Sequence, residues 1–131
     1  MKGIYESLFS KLGGDATLQT SLSGTAGDKK IYPITATVRT ALPAIKISVE
    51  SGTSDAAFGI NRPEVELLVV SATGSPQLSE ISNRVDVLIN TKNFLGSGIT
   101  VHFVKKVAER DEYDEATLEY RRRLRYKLIV V

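Results

Sequence analysis

Residues 117–131, TLEYRRRLRYKLIVV, alternate apolar and basic side chains along one stretch of chain. Its apolar members are Leu118, Tyr120, Leu124, Tyr126, Leu128 and Val130, and its alternating basic members are Arg121, Arg123, Arg125 and Lys127. A period of two indicates a β-strand with one face towards a core and the other towards solvent. Only Arg122 breaks the alternation. The stretch therefore predicts an amphipathic strand whose basic side chains stand about 7 Å apart on one face.

A second strand is predicted just before this stretch, over ITVHFV at residues 99–104, where apolar and polar side chains again alternate. The intervening ERDEYDEA, residues 109–116, is strongly acidic. The two strands are expected to form an antiparallel hairpin with residues 108–116 as its loop. The candidate acidic contact loop comprises Glu109, Asp111, Glu112, Asp114 and Glu115.

Two further strands are predicted upstream. PEVELLVVSA, residues 63–72, begins with proline and is then apolar at Val65, Leu67, Leu68, Val69 and Val70, a run continuous enough to predict a central strand buried on both faces. Residues 44–50 alternate and predict its neighbour. The segment between them, SGTSDAAFGINR at 51–62, is rich in glycine and small polar residues and predicts a protruding loop. Its candidate contact residues are Asp55, Phe58, Asn61 and Arg62.

Three helices complete the predicted fold. Apolar spacing predicts the first over residues 2–12, and Asp15 is the expected N-cap of a short second helix that ends near Ser21. The third is expected to start with Ser75 as N-cap and Pro76 at its first position, and to end near Asn93. The chain is thus predicted to be one α+β domain over residues 1–131. Its order is ααββαββ, with helices packed on a mostly antiparallel sheet.

The composition and the residue spacing exclude several functional classes for this chain. The chain has no cysteine, so disulfides and thiolate chemistry are excluded, and its one histidine, His102, has no nameable partners for a triad or a metal site. Its glycines do not form a nucleotide-binding loop, and its carboxylates lack the spacing of a calcium loop. No apolar run is long enough for a membrane span or a signal-peptide core. We therefore predict no enzymatic activity, no metal and no cofactor.

The basic stripe of Arg121, Arg123, Arg125 and Lys127 leaves three interpretations open. It is a solvated outer face, a surface that meets phosphates, or an interface to another subunit. The net charge of +2 is too small to demand a nucleic-acid partner. Opposite charges are nevertheless segregated between the stripe and the acidic loop, and this separation suits head-to-tail contacts between copies.

The order of these segments resembles a known family. The segments that carry the resemblance are GIYESLFSKL, GGDATLQTSLSG, DKKIYP, ALPAIKISV, SPQLSEISNRVDVLIN and the terminal RRRLRYKLIVV. Together they resemble the tail-terminator and tail-completion proteins of long-tailed bacteriophages. Those proteins are small α+β subunits that form a ring, typically hexameric, which caps the tail tube and joins it to the head.

The resemblance implies a structural protein of the virion, present in the host cytoplasm during assembly. Its partners would be other copies in a homo-hexameric ring, the tail-tube protein and the head-connector proteins. DNA passing through the lumen would be contacted weakly at most, and no membrane would be involved. The irregular segment 51–62 leaves a neck or head-completion connector as an alternative. A small nucleic-acid-binding module is the other alternative, supported by the basic stripe.

Overall fold

A computed structural model describes residues 2–34, 42–55, 60–90, 94–95 and 100–130 of the chain. The elements, in chain order, are α1 (Lys2–Gly13), α2 (Ala16–Leu22), β1 (Ile31–Pro33), β2 (Ala44–Asp55), β3 (Ile60–Ser71), α3 (Ser75–Ile89), β4 (Phe94–Leu95), β5 (Thr100–Asp114) and β6 (Glu119–Val130). The strands form one sheet in the order β1-β2-β3-β6-β5-β4. Only β1 and β2 are parallel in it. The predicted α+β class and mostly antiparallel sheet are confirmed.

The helices pack on one face of this sheet. Alternate residues of β3 (Val65, Leu67 and Val69) and of β6 (Leu124, Tyr126, Leu128 and Val130) join buried side chains of all three helices in one core. The predicted alternation of the C-terminal strand is confirmed from Leu124 onward. The predicted interior strand is confirmed too: β3 lies between β2 and β6, and Leu67 to Val70 are buried on both faces.

The predicted order ααββαββ is incomplete, because the sheet also contains β1 and β4. β1 has three residues and β4 has two, so neither shows a periodic pattern. The residues that flank β1 also bond to β2: Ile45 N donates to Lys30 O and Ile34 N donates to Ile47 O, both at 2.9 Å. The nitrogen of Pro33, which carries no hydrogen, therefore faces away from β2. A proline is compatible with this edge strand for that reason.

Both predicted loops are largely strand, which corrects the sequence interpretation. β2 runs on to Asp55 and β3 starts at Ile60, with a register shift between Glu50 and Thr53 that absorbs the Ser51–Gly52 pair. In the C-terminal hairpin, β5 continues to Asp114, and the turn is confined to residues 115–118. Backbone pairing with a neighbouring strand outweighs the low β-propensity of these polar residues.

Helix capping agrees with the sequence in one case and differs in another. Asp15 caps α2 as predicted, and its carboxylate accepts a 2.8 Å hydrogen bond from Leu18 N. For α3 the N-cap is Gly74, not Ser75, and Gly74 has φ +126°, a conformation that favours glycine. α3 also ends at Ile89, short of the predicted end near Asn93, which lies outside the described residues.

Asp15 also joins α2 to α3 through a bidentate ion pair. Arg84 of α3 donates from Nε at 2.8 Å and from Nη2 at 2.7 Å to the two carboxylate oxygens. The hydrogen bond from Arg84 holds the pKa of Asp15 down at about 2, below its ordinary value of 3.8. The same carboxylate therefore stabilises a helix end and a helix–helix contact.

We expect Asp15→Asn to lower the free energy of unfolding by about 1 kcal/mol at pH 7, since asparagine keeps the cap and loses the partly screened ion pair. The ionised Asp15 stabilises the fold fully above pH about 4, and this contribution disappears as the pH falls towards its folded pKa of about 2. Urea denaturation at several pH values should show the two proteins converging between pH 4 and 2. A difference that persists at pH 2 would contradict this account.

Candidate interaction surface

The candidate surface is the sheet face opposite the helices, which we call the open face. The antiparallel register places the predicted basic stripe there, with Arg121, Arg123, Arg125 and Lys127 opposite Val70, Leu68, Glu66 and Glu64 of β3. Leu68 and Val70 are buried although they point away from the helices. The arginines beside them lie in position to cover them with their aliphatic stems, as the solvated-face interpretation expects.

Each cation of the stripe has a carboxylate partner within the chain. Arg121 Nη2 lies 2.8 Å from Glu119 and 3.2 Å from Asp114, and Arg123 lies 2.9 Å from Glu112 and 3.5 Å from Glu66. Glu64 serves two cations at longer range, with Arg125 at 3.8 Å and Lys127 at 3.6 Å. The open face therefore carries a network of ion pairs, whose distances are shortest towards the turn of the hairpin and longest at the opposite end.

The predicted acidic residues are divided between the two faces of β5. Glu112 and Asp114 lie on the open face, while Glu109 and Asp111 point to the helix side, and Glu115 alone belongs to the turn. Hydrogen bonds from Arg123 and Arg110 lower the pKa of Glu112, and backbone hydrogen bonds from Ala116 and Thr117 lower that of Asp114. Most of the predicted acidic contact loop is thus engaged with the neighbouring strand.

The exception in the alternating pattern, Arg122, has its own site. It lies opposite Val69 on the helix side, and its side chain is only 12% exposed. Its guanidinium donates to Ser79 Oγ at 3.1 Å and Ser82 Oγ at 2.9 Å on α3, and to both oxygens of Asp111 at 2.6 and 3.0 Å. Arg122 therefore fastens α3 to both strands of the hairpin. The departure of Arg122 from the apolar–basic alternation was the signal in the sequence for this role.

A second polar contact lies two turns further along α3. The Asp86 carboxylate accepts hydrogen bonds from Tyr126 Oη and, at 3.0 Å, from Lys106 Nζ, which also reaches Glu109 at 3.0 Å. Burial is the main cause that raises the pKa of Tyr126, and Asp86 raises it further. With Arg122 this contact forms a polar seam between α3 and the β5–β6 hairpin.

We expect Arg122→Met to lower the free energy of unfolding by about 2 kcal/mol, because Ser82 is buried and loses its charged donor. The matched control is Arg110→Met, since Arg110 is 71% exposed on the neighbouring strand and should change stability by less than about 0.5 kcal/mol. Urea denaturation of both variants measures the difference. Equal effects would show that the Arg122 contacts add nothing to stability.

The turn of the hairpin carries apolar groups in an acidic setting. We define the hairpin tip as residues 114–119. Leu118 is 65% exposed and has φ +57°, a conformation that leucine rarely adopts. Tyr113, 48% exposed, precedes the tip and packs against Tyr120 with ring centroids 4.7 Å apart and the ring planes tilted by 42°. An open depression of about 370 Å³ at the tip is lined by Glu112, Tyr113, Asp114, Glu115, Ala116 and Arg121.

The candidate residues of the predicted protruding loop do not form one group. Asp55 ends β2, while Asn61 and Arg62 belong to β3, and Phe58 lies outside the described residues. Arg62 is exposed and stands two positions before Glu64, which places it on the open face. The structure thus brings Arg62 to the loosely paired end of the basic stripe.

The chemistry that these surfaces offer is ionic. A depression of about 270 Å³ on the open face is lined by Glu66, Ala108, Arg110, Arg123 and Arg125. The pKa values of Asp111, Glu112 and Asp114 are lowered and those of Arg122 and Arg123 are raised, so these five groups stay charged at neutral pH. Within the described ranges, no three acidic or histidine side chains are arranged to hold a metal ion. The helices there are also too short or too polar to span a membrane.

Fold and surface together define a small α+β protein with an ionic sheet face and an exposed hairpin tip. One solved structure with the same fold is a chain of the virion of a native gene transfer agent particle. The two chains superpose with a TM-score of 0.79 at 15% sequence identity, over 98% of this chain and 95% of that chain. At this identity the similarity shows the fold. No protein-family model matches the chain, and a search of curated proteins returned no significant match.

Proposed function

We propose that the protein is a non-enzymatic structural subunit of a phage-like virion. In this role, copies form a ring, with six as the expected number, that caps the tail tube, stops its polymerisation and joins the tail to the head. The observation that carries the proposal is the end-to-end match in fold with a chain of a gene transfer agent virion. The sequence resemblance to phage tail terminators supports the finer assignment independently of that match.

The character of the surface supports an assembly role. Ring subunits act through rigid elements and surface contacts, and this chain has a sheet whose open face is held by ion pairs and a hairpin whose tip exposes apolar groups. On the open face the pKa values of Glu112 and Asp114 are lowered and that of Arg123 is raised, which makes these three groups poor proton donors and acceptors at neutral pH. Contact and positioning are the roles that such a surface suits.

The same ion pairs argue against tight nucleic-acid binding. Each cation of the stripe already has a carboxylate within 4.0 Å, so a phosphate would have to displace it and meet the remaining negative charge. Affinity for DNA depends on the number of phosphates neutralised by lysine and arginine. The surface therefore suits a lumen that DNA passes, with weak contacts, better than an independent nucleic-acid-binding module.

We expect the wild-type protein to bind duplex DNA no more tightly than about 10 µM at physiological salt, in the range of non-specific binding. The triple variant Glu64→Gln, Glu66→Gln, Glu112→Gln frees the stripe and should bind about tenfold more tightly at low salt, with a steeper salt dependence. Fluorescence anisotropy measures both. Glu80→Gln, on the outer side of α3, is the control and should change nothing. Nanomolar binding by the wild type would favour the nucleic-acid module instead.

The tail-terminator role predicts a specific defect. Deletion of the coding sequence from its native genome should yield tail tubes of uncontrolled length and heads without tails, since nothing halts polymerisation. Negative-stain electron microscopy of the particles measures both, and expression of the wild-type protein in trans should restore tail length. Tails of normal length that fail to join heads would identify a neck connector. Intact infectious or DNA-transferring particles would overturn the virion role.

A further inference from the structure

The two ends of the open face carry opposite charge. Two carboxylates of the hairpin tip, Asp114 and Glu119, pair with the adjacent Arg121, and a third carboxylate of the tip, Glu115, lines the same depression as Arg121. At the other end four cations share three described carboxylates of the same face, Glu50, Glu64 and Glu66. These cations are Arg62, Lys105, Arg125 and Lys127, which we call the basic end. The face as a whole is close to neutral, so this separation is a property of its ends.

Among the described side chains, the cations of the basic end outnumber the carboxylates beside them. Lys105 and Lys127 stand directly opposite each other, an arrangement that destabilises a sheet when nothing offsets it. Glu64 is shared by Arg125 and Lys127 at distances of 3.8 and 3.6 Å, and these two side chains are 42% and 60% exposed. In contrast, Arg121 at the tip is 25% exposed and lies 2.8 Å from its closer partner. An external carboxylate would therefore improve the electrostatics of the basic end.

The hairpin tip carries what such a contact needs. Glu115 is exposed in the same four-residue turn as the exposed Leu118, and it lines the depression at the tip together with Tyr113. Leu118 occupies a left-handed backbone conformation that glycine or asparagine would adopt at lower cost. A strained and exposed apolar residue inside an acidic turn fits a surface that is covered in the assembly, with the carboxylates at its rim.

We propose that the hairpin tip of one copy docks on the basic end of the next copy, with Glu115 facing Lys127 and Lys105 across the contact. The occupant of the basic end is a second copy of this chain, because the complementary charge and the exposed apolar groups belong to the same molecule. The two patches differ, so the contact is head-to-tail and closes into a ring when the rotation between copies allows it. This inference rests on the proposed ring and names the surface that builds it.

Disulfide trapping tests the contact directly, because the chain has no cysteine of its own. Single variants Glu115→Cys and Lys127→Cys are purified, mixed and oxidised mildly. Residues 119 and 127 alone are eight strand positions apart, about 26 Å, so residues 115 and 127 of one copy cannot join. We expect the mixture to give a cross-linked dimer. The double variant Glu115→Cys, Lys127→Cys should give a ladder of oligomers that ends at the closed ring.

The control replaces Lys127→Cys with Arg110→Cys in the mixture. Arg110 lies on the same face and is more exposed than Lys127, so random collisions would favour it. The Glu115–Lys127 mixture should give at least about tenfold more dimer than this control, since a docked pair reacts at a high effective concentration. Equal yields would overturn the contact, as would efficient cross-linking of Glu115→Cys with itself, which indicates a two-fold contact between tips.

Charge reversal provides a second test that separates the contact from the ring itself. Glu115→Lys and Lys127→Glu should each lower the mass measured by light scattering at low salt, and their combination in one chain should restore it. Arg110→Glu is the matched control and should leave the mass unchanged. A ring mass that survives both single reversals would overturn this contact and leave the proposed function standing. A monomer at every concentration, with no trapped dimer, would overturn the contact, and the tail-length phenotype would then decide the function separately.

Discussion

The structure depends on the position of β6 between β3 and β5. Its register with β3 is constant from Val130 to Tyr120, so every second side chain enters the core and the others form the open face. A slip of one residue would bring Arg123 and Arg125 into the core and expel Leu124 and Tyr126, at a prohibitive cost of desolvation. The helices, the ion pairs and the orientation of the hairpin tip all follow from this register.

The charged side chains of the sequence acquire partners within the chain once the strands are paired. Along the sequence, the stripe of arginines and the acidic segment appear as two separate patches available to partners. In the sheet they lie side by side, and Asp111, Glu112 and Asp114 become partners of Arg122, Arg123 and Arg121. What remains for contact with other molecules is smaller and lies at the two ends of the open face. The uncompensated charge at these two ends, more than the total charge of the face, decides what the surface can bind.

Much of the fold could be predicted from local pattern, and the site only in part. Periodicity identified the three helices, the central strand and the alternation of β6, because burial imposes those periods on the residues themselves. β1 and β4 were missed, since strands of three and two residues exist only through their neighbours. The basic stripe was identified correctly as one face. The division of the acidic residues between two faces was missed, because the segment was predicted as a loop, whereas β5 continues to Asp114 and a strand alternates its side chains between the two faces.

By itself, the sequence determined the class of fold, the lack of cysteine chemistry and the amphipathic character of the strand that organises the sheet. These properties reside in composition and in short-range periodicity, which each residue carries regardless of its distant neighbours. Only the tertiary structure decided that Arg122 fastens α3 to the hairpin, that Asp15 and Arg84 join two helices, and that the cations of the open face are compensated within the chain. The contacts of Arg122, the pair of Asp15 with Arg84 and the pair of Arg123 with Glu112 join side chains that are 11 to 69 positions apart in the sequence. Strand register and helix packing create those side-chain contacts, and no local sequence pattern encodes them.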